Sequence, residues 1–255
     1  MNNIQARLHH QIRKKCGRAI ADFQLIEEGD RIAVALSGGK DSWTLLHMLE
    51  DLRRRAPVPF EVIALNIDPG FAGYRTDLME AYLRQQGFTY HLEKTDNVRL
   101  IEEKLRPGSS YCAFCARLRR GCLYTQAQRL KCNKVALGHH LDDFIETLLL
   151  NQFYSGTLGA MGVKLLADNQ QQTVIRPLVY VEEKMIIDYS RHCDFPIISC
   201  ACPLEVTQKK EQQRLRMKRL IADLAREIPQ IRGSLLGALA NVNHRHLLLT
   251  PPVDS

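Results

Sequence analysis

The chain has 255 residues, of which 45% are hydrophobic, and its 35 Lys and Arg against 28 Asp and Glu give a net charge of +7. This composition excludes a disordered or collagen-like chain, and no apolar run approaches the roughly 18 residues that a membrane helix needs. The N-terminus lacks the apolar stretch of a signal peptide, so we expect a cytoplasmic protein whose eight cysteines stay reduced and are candidates for metal or redox chemistry.

Short apolar runs alternate with amphipathic segments along the chain. The predicted strands cover residues 31–36, 60–66, 89–92, 134–138 and 173–178. The predicted helices cover residues 4–26, 76–86, 141–153, 182–193 and 203–228, with another directly after residue 42. This alternation predicts an α/β fold with a doubly wound, mainly parallel sheet and extra N- and C-terminal helices.

A polar loop, Ser37–Ser42 (SGGKDS), joins the first predicted strand to a helix. Gly38 and Gly39 allow backbone N–H groups to approach phosphate oxygens, and the following helix N-terminus favours the same anion. Lys40 can offset phosphate charge, and Asp41 is suited to ligate Mg²⁺. The alternative is a plain Gly-Gly turn in which Ser and Asp cap the helix.

A second polar loop, Gly138–Thr147 (GHHLDDFIET), follows the fourth predicted strand. Asp142 and Asp143 open the next helix. Because successive helical residues point about 100° apart, we expect only one of these carboxylates to serve a metal or nucleotide. Their alternative role is to favour the helix dipole. We expect neither preceding histidine to act as a general base.

The cysteines form two clusters and four scattered sites. Cys112 and Cys115 make a C-x-x-C pair, and Cys200 and Cys202 lie together before a proline. These thiols are compatible with a four-ligand zinc site, a redox pair, or an iron–sulfur cluster held by three cysteines. Spacing alone does not choose between zinc and iron. The cysteines expected to pack as small apolar residues are Cys122, Cys132 and Cys193.

Taken together, these segments resemble the tRNA 2-thiocytidine synthetase family of PP-loop ATP pyrophosphatases. The resemblance runs from about residue 7 to about residue 225 and includes the segments CAFCARLRRGCLY, IRPLVY and FPIISC. It implies ATP-dependent thiolation of the cytidine at position 32 of the tRNA anticodon loop. In that reaction the base is adenylated, and sulfur is then transferred from an iron–sulfur cluster.

The resemblance also implies site residues. ATP would bind the loop residues Ser37, Gly38, Gly39, Lys40, Asp41 and Ser42, together with Gly138 and Asp143. Lys40 and Asp41 are the expected catalytic residues. From topology alone, Asn66 and Ile67 are expected to contact adenine or ribose, because ligands bind beyond the ends of the strands.

A [4Fe-4S] cluster held by three cysteines is the cofactor that the resemblance implies, together with Mg²⁺. Cys112 and Cys115 match the family motif, and Cys202 is the preferred third ligand. Cys200 remains the alternative, because only one residue separates the late cysteines here whereas the family has two.

The expected domain division is a basic N-terminal helix (1–27), a PP-loop ATP-binding domain with an inserted C-x-x-C segment (28–200), a C-terminal helical region (201–249) and a tail (250–255). The expected partners are tRNA, ATP, a cysteine-desulfurase-type sulfur donor and a second copy of the chain, with no membrane.

Basic residues concentrate in three places that fit a footprint on the tRNA backbone, although each alone is typical of a solvated helix face. The first helix, the segment after the C-x-x-C pair and a late helix carry Arg7, Arg13, Lys14, Lys15, Arg18; Arg117, Arg119, Arg120; and Lys209, Lys210, Arg214, Arg216, Lys218, Arg219. The aromatic residues Tyr111, Phe114 and Tyr124 can stack an unpaired base. The alternatives are a uridine thiolase, a lysidine-type ligase, or a zinc-stapled RNA-binding module without catalysis.

Overall fold

A computed structural model of the protein describes residues 3–105, 111–198 and 209–248. The chain divides into two compact units. The first comprises Met1–His140 with Gly162–Glu205, and the second comprises Leu141–Met161 with Val206–Ser255. Within the described ranges, no helix combines the length and apolarity of a bilayer span.

A six-stranded sheet forms the centre of the first unit. Its strands are β1 (Arg31–Ala35), β2 (Glu61–Asp68), β3 (Tyr90–Lys94), β4 (Lys134–Ala136), β5 (Lys164–Leu166) and β6 (Thr173–Ile175). Their order is β3-β2-β1-β4-β6-β5, and every neighbouring pair is parallel except β5 with β6. Strand order therefore reverses between β1 and β4, which confirms the predicted doubly wound, mainly parallel sheet.

Nine α-helices lie in the described ranges. They are α1 (Asn3–Asp22), α2 (Lys40–Arg53), α3 (Thr76–Gln86), α4 (Asn97–Lys104), α5 (Tyr111–Arg129), α6 (Leu141–Leu150), α7 (Glu183–Ser190), α8 (Lys209–Glu227) and α9 (Ile231–Ala238). Helices α6, α8 and α9 belong to the second unit and the other six to the first.

Alternate residues of the central strands enter two separate cores, one on each face of the sheet. Ile32 and Val34 of β1 join the core that contains residues of α1, α2, α3 and α7. Ala33 faces the opposite core, which includes Ala127 of α5 and Val135 of β4. Burial on both faces explains why the central strands appear in the sequence as apolar runs rather than alternating patterns.

The second unit is helical. Leu141, Ile145 and Leu149 recur along one face of α6 and pack against Met217 and Ile221 of α8. The predicted helix over residues 141–153 is α-helical only to Leu150, and a π-helical turn, Asn151–Ser155, follows it. Gly156 then ends the turn in a left-handed conformation, with φ of +63°.

Several elements differ from the sequence prediction. Helix α1 ends at Asp22 rather than near residue 26, because Gln24 adopts a positive φ of 48° and turns the chain. Strand β5 was not predicted, since its three residues are all exposed at the sheet edge. Helices α4 and α5 were also not predicted, whereas α9 lies within the expected C-terminal helical region 201–249. The start of the predicted helix 203–228 lies outside the described residues.

Candidate active site

The loop after β1 forms a tight turn at the carboxyl end of the sheet. Gly38 has φ of +87°, and a Cβ at this position would lie 3.1 Å from Cβ of Ile198. Ser42 Oγ donates to the carbonyl of Gly39 at 2.9 Å and accepts from the backbone N–H of Ser37 at 3.2 Å. At position 38 only glycine tolerates both the positive φ and the close contact with Ile198 without strain.

Helix α2 starts at Lys40 with Gly39 as its N-cap, and no side chain caps this described helix end. The alternative interpretation of the loop is therefore wrong in its helix capping by Ser and Asp, although the Gly-Gly turn itself is present. An uncapped N-terminus directs backbone N–H groups and the positive end of the helix dipole toward the loop, which suits an anion.

Lys40 lies between two carboxylates. Its Nζ is 3.0 Å from Oδ1 of Asp41 and 3.3 Å from Oε1 of Glu183, the first residue of α7. Burial opposes the charge on Lys40, but both carboxylates outweigh it, so the pKa of Lys40 is raised. Sequence reasoning missed Glu183, whose only signal is an acidic residue at the start of a helix.

The structure brings the loop after β4 against the loop after β1. A Cβ on Gly138 would lie 3.1 Å from both the carbonyl carbon of Asp41 and the backbone nitrogen of Ser42. The next-but-one residue, His140, is buried, and its Nε2 is 3.8 Å from Oδ1 of Asp41. Gly138, Asp41 and Ser42, which the sequence predicted to share a site, are therefore neighbours.

The two aspartates at the start of α6 bind different arginines within the second unit. Asp142 accepts from Nε of Arg232 at 2.9 Å, whereas Oδ1 of Asp143 is 3.4 Å from Nη1 of Arg214. Arg214 also lies 3.8 Å from Glu146. The divergent partners agree with the expectation that the two carboxylates cannot face one ion equally.

A cavity of about 340 Å³ opens beside the first loop within the first unit. Strand ends of β1, β2 and β4 form its floor, and α5 forms one wall. Its volume is that of a small-molecule site, and its lining combines apolar side chains with a few polar and basic ones. The lining residues are Ala35, Leu36, Ser37, Leu65, Ile67, Ala116, Arg119, Arg120, Leu123, Tyr124, Leu137 and His139.

Of the two residues expected to contact adenine or ribose, one lines this cavity. Ile67 belongs to the lining, and Asn66 does not. Asn66 is buried, and its Nδ2 donates to the carbonyl of Leu36 at 2.7 Å and to the hydroxyl of Tyr74 at 2.8 Å. Asn66 therefore connects the ends of β1 and β2 to the loop that follows β2.

The C-x-x-C pair lies in the first turn and a half of α5. Helical periodicity places residues three or four positions apart on one side, so position 112 shares a face with Ala116, and Cys115 lies one turn before Arg119. Cys115 is half-buried. Cys200 and Cys202, the candidates for a third ligand, lie outside the described residues.

The cysteines that were expected to pack do so. Cys132 is buried in the core beside α5, and Cys122 and Cys193 are half-buried against the two cores. Burial raises the pKa of the Cys132 thiol. Cys16, which sequence analysis left unassigned, is fully buried, and its pKa is raised to about 12. The raised pKa values make the thiols of Cys16 and Cys132 poorly suited to ionise near neutral pH.

Arg176, just after β6, is a second residue that sequence reasoning did not single out. It is 9% exposed, its Nε donates to Nδ1 of His139 at 3.1 Å, and its Nη1 donates to the carbonyl of Gly162. Burial lowers the pKa of Arg176, and nearby Arg120 acts in the same direction. The interaction joins two residues 37 positions apart at the edge of the cavity.

The basic clusters differ in whether their side chains pair with other groups of the protein or line the cavity. Arg119 and Arg120 line the cavity. On α1, Arg13 binds Asp51 and Arg18 binds Asp22, while Lys15 donates to a backbone carbonyl. Three basic side chains of the first helix therefore already bind groups of the protein itself.

Comparison with known proteins gives consistent results. Residues 8–198 match the PP-loop domain family model. The tRNA-cytidine(32) 2-sulfurtransferase of Syntrophotalea carbinolica is 64% identical over 245 residues, which are 96% of this chain and 94% of that protein. The enzyme of the same name from Geobacter sulfurreducens is 60% identical over 94% of this chain and 93% of that protein.

A solved structure also shares the fold. The U34-tRNA thiolase NcsA from Methanococcus maripaludis, determined with its [4Fe-4S] cluster, superposes with a TM-score of 0.75 at 20% identity, over 94% of this chain and 81% of that one. From the loop geometry, the family match and the identity with these relatives, the chain belongs to the tRNA-cytidine(32) 2-sulfurtransferase family and contains its PP-loop domain.

Proposed function

We propose that this chain is an ATP-dependent enzyme that replaces the 2-oxygen of cytidine 32 in tRNA with sulfur. One observation carries the proposal: Ser37 of the nucleotide loop and Arg119 of the helix that begins with the C-x-x-C pair line the same cavity. A reaction that activates a base with ATP and then delivers sulfur to it needs both functions close together. The relatives named for this reaction support the proposal.

The first step is adenylation. The cytidine O2 attacks the α-phosphate of ATP, an O–P bond forms, and pyrophosphate leaves. Backbone N–H groups at the start of α2 stabilise the phosphates, and the charged Lys40 offsets their negative charge. Asp41 supplies the carboxylate oxygens that a Mg²⁺ ion bound with ATP prefers. Gly138 lets the second loop pack against the start of α2. Asp143 is the proposed further contact to ATP.

The second step exchanges oxygen for sulfur. A [4Fe-4S] cluster held by Cys112, Cys115 and a third cysteine would supply sulfide for this step. Sulfide would form the new bond to C2, and AMP would leave with the original oxygen. The C-x-x-C pair suits such a cluster, because it supplies two thiols three positions apart at the described start of α5.

In the described residues no group of three His, Cys, Asp or Glu side chains is placed to hold a metal. For the third ligand we propose Cys202, with Cys200 as the alternative, and both lie outside those ranges. The remaining proposals are a cytoplasmic location, a homodimer and a cysteine-desulfurase-type sulfur donor.

The test is anaerobic purification followed by iron analysis, an absorption spectrum and mass analysis of tRNA nucleosides. We expect a coloured protein with about four irons per chain. With ATP, Mg²⁺ and sulfide it should convert the tRNA cytidine to 2-thiocytidine and release AMP and pyrophosphate. Replacing both Cys112 and Cys115 by Ala should abolish iron binding and thiolation. Cys122→Ala, on the same helix, is the matched control and should preserve both.

Other outcomes point elsewhere. Thiolation by an iron-free protein would overturn the cluster mechanism, and thiolation of uridine would identify a uridine thiolase. ATP-dependent ligation that survives loss of Cys112 and Cys115 would identify a lysidine-type ligase. A colourless zinc protein that binds RNA but releases no pyrophosphate would be a binding module.

A further inference from the structure

We propose that Glu183, the first residue of α7, is a positioning residue that holds the Lys40 ammonium at the nucleotide loop while Asp41 binds the Mg²⁺ that accompanies ATP. The inference deepens the proposed function and rests on it for the roles of Lys40 and Asp41. It is tested by nucleotide binding alone, without any measurement of thiolation.

Lys40 has carboxylate partners on two different elements. Its Nζ donates to Oδ1 and Oδ2 of Asp41, its neighbour on α2, at 3.0 and 3.1 Å, and it lies 3.3 Å from Oε1 of Glu183 on α7. The side chains of Lys40 and Glu183 are 28% and 15% exposed. Because the pair is partly withdrawn from water, its attraction is screened less than that of an exposed ion pair.

Asp41 cannot serve Lys40 and a metal ion equally well. Both of its carboxylate oxygens already face a cation, as those of a Mg²⁺ ligand must. Once Asp41 binds Mg²⁺, its contact with Lys40 weakens, because the carboxylate charge is shared and the two cations repel each other. In the described part of the chain, Glu183 is then the carboxylate that keeps the ammonium beside the loop.

Helix α7 gives Glu183 a fixed position. Glu183 lies one turn before Ile186, which is fully buried in the core that also contains Trp43 and Met48 of α2. Residues three positions apart lie on the same side of a helix, so Glu183 is on the side of α7 that packs into this core. A carboxylate on an anchored helix can therefore orient the long and flexible Lys40 side chain.

The alternative role of Glu183 is to favour the dipole of α7, as any acidic residue at a helix start does. Glu182, the N-cap of the same helix, provides the matched control. Glu182→Gln removes the same charge one residue away, whereas the described carboxylates that pair with Lys40 are those of Asp41 and Glu183. Glu183→Gln keeps the shape and an acceptor oxygen but removes the charge.

The experiment is calorimetry of ATP binding to the full chain, once with Mg²⁺ and once with EDTA. With Mg²⁺, we expect Glu183→Gln to raise the Kd of ATP about 10-fold, because Lys40 then either competes for Asp41 or leaves the loop. With EDTA, we expect a Kd equal to that of the wild type or lower, because Asp41 still holds Lys40 and one carboxylate fewer repels the phosphates. Glu182→Gln should resemble the wild type in both conditions.

A double-mutant cycle separates positioning from a structural role. In the Lys40→Met background, Glu183→Gln should change ATP binding with Mg²⁺ no more than Glu182→Gln does, because the contact that Glu183 makes with Lys40 is already absent. Damage to the start of α7 would instead persist in that background.

The proposal fails if Glu183→Gln and Glu182→Gln weaken ATP binding equally, if Glu183→Gln weakens it as much in EDTA, or if its effect survives the loss of Lys40. If Glu183→Gln does not fold, Glu183→Asp takes its place, since it keeps the charge but shortens the side chain. It should then show a smaller loss that also depends on Mg²⁺. A wild-type protein that shows this coupling but thiolates no cytidine would overturn the proposed function and leave the positioning role standing.

Discussion

At the scale of single residues, Gly138 shows how two distant segments become one site. The loop after β4 can approach the first turn of α2 only because residue 138 has no side chain, since a Cβ would come within 3.1 Å of backbone atoms of Asp41 and Ser42. Backbone atoms at a helix start cannot rotate away as a flexible side chain can. Close contact at this point therefore determines where the nucleotide loop lies.

We expect Gly138→Ala to displace the start of α2, destabilise the protein by about 1–3 kcal/mol and weaken ATP binding. Denaturant unfolding and calorimetry would measure the two effects. The control is Gly121→Ala in α5, where a Cβ meets no atom within 4 Å. Alanine should stabilise that helix by up to about 1 kcal/mol. Equal effects of the two substitutions would refute the close-contact argument.

The functional role of the two loop motifs could be predicted from the sequence. The residues distant in sequence that bind the side chains of these loops could not. Ser37–Ser42 and Gly138 follow strands directly, so their spacing alone indicates an anion site. Glu183 and Arg176 reach that region only through the sheet order, in which β6 lies next to β4. No local sequence pattern pairs Lys40 with Glu183 or His139 with Arg176.

At the scale of elements, the sequence predicted those whose apolar residues form one simple pattern. The central strands and α3 fall close to their predicted bounds. Helix α5 was not predicted, because its apolar residues serve two surfaces: Ala116 lines the cavity, and Ala127 packs against the sheet. The candidate ligand pair was therefore identified as a motif, and its placement on a helix beside the cavity came only from the structure.

The packing of α2 gives a prediction about pH. His47 lies among Tyr82, Phe88 and Phe195, and burial, with a smaller effect of His9, lowers its pKa from 6.5 to about 4. The unfolded chain binds this proton more tightly than the folded protein. The free energy of unfolding should therefore fall by up to about 3 kcal/mol as pH drops from about 6.5 to about 4.

Urea unfolding of the wild type and of His47→Gln at both ends of that pH range would test this. Glutamine can keep a hydrogen bond to the Tyr82 hydroxyl, which lies 3.0 Å from Nε2 of His47, but it does not titrate. The variant should lose much of the pH dependence, with His9 accounting for a remainder because burial also lowers its pKa. His192→Gln, at an exposed position, should behave like the wild type. A His47 variant with undiminished pH dependence would contradict the assignment.

At the scale of the whole molecule, the net charge of +7 is less informative than its placement. Arg13 and Arg18 are paired with carboxylates of their own unit, and Arg214 of the second unit lies close to Asp143. Arg119 and Arg120 instead line the proposed ATP cavity. A cationic pair at the cavity can bind RNA phosphates close to the position where its base must react.

The last prediction therefore concerns salt. Replacing Arg119 and Arg120 by Ala should weaken tRNA binding, measured without ATP across a series of salt concentrations. If both contact phosphates, the slope of log K against log salt should become shallower by about 1.4–1.8, because each contact contributes about 0.7–0.9. The matched control replaces Arg84 and Arg99, which are exposed and pair with Glu80 and Glu103. That variant loses the same charge but should keep the wild-type slope. Equal slopes for the two double variants would show that overall charge, and not the cavity arginines, determines RNA affinity.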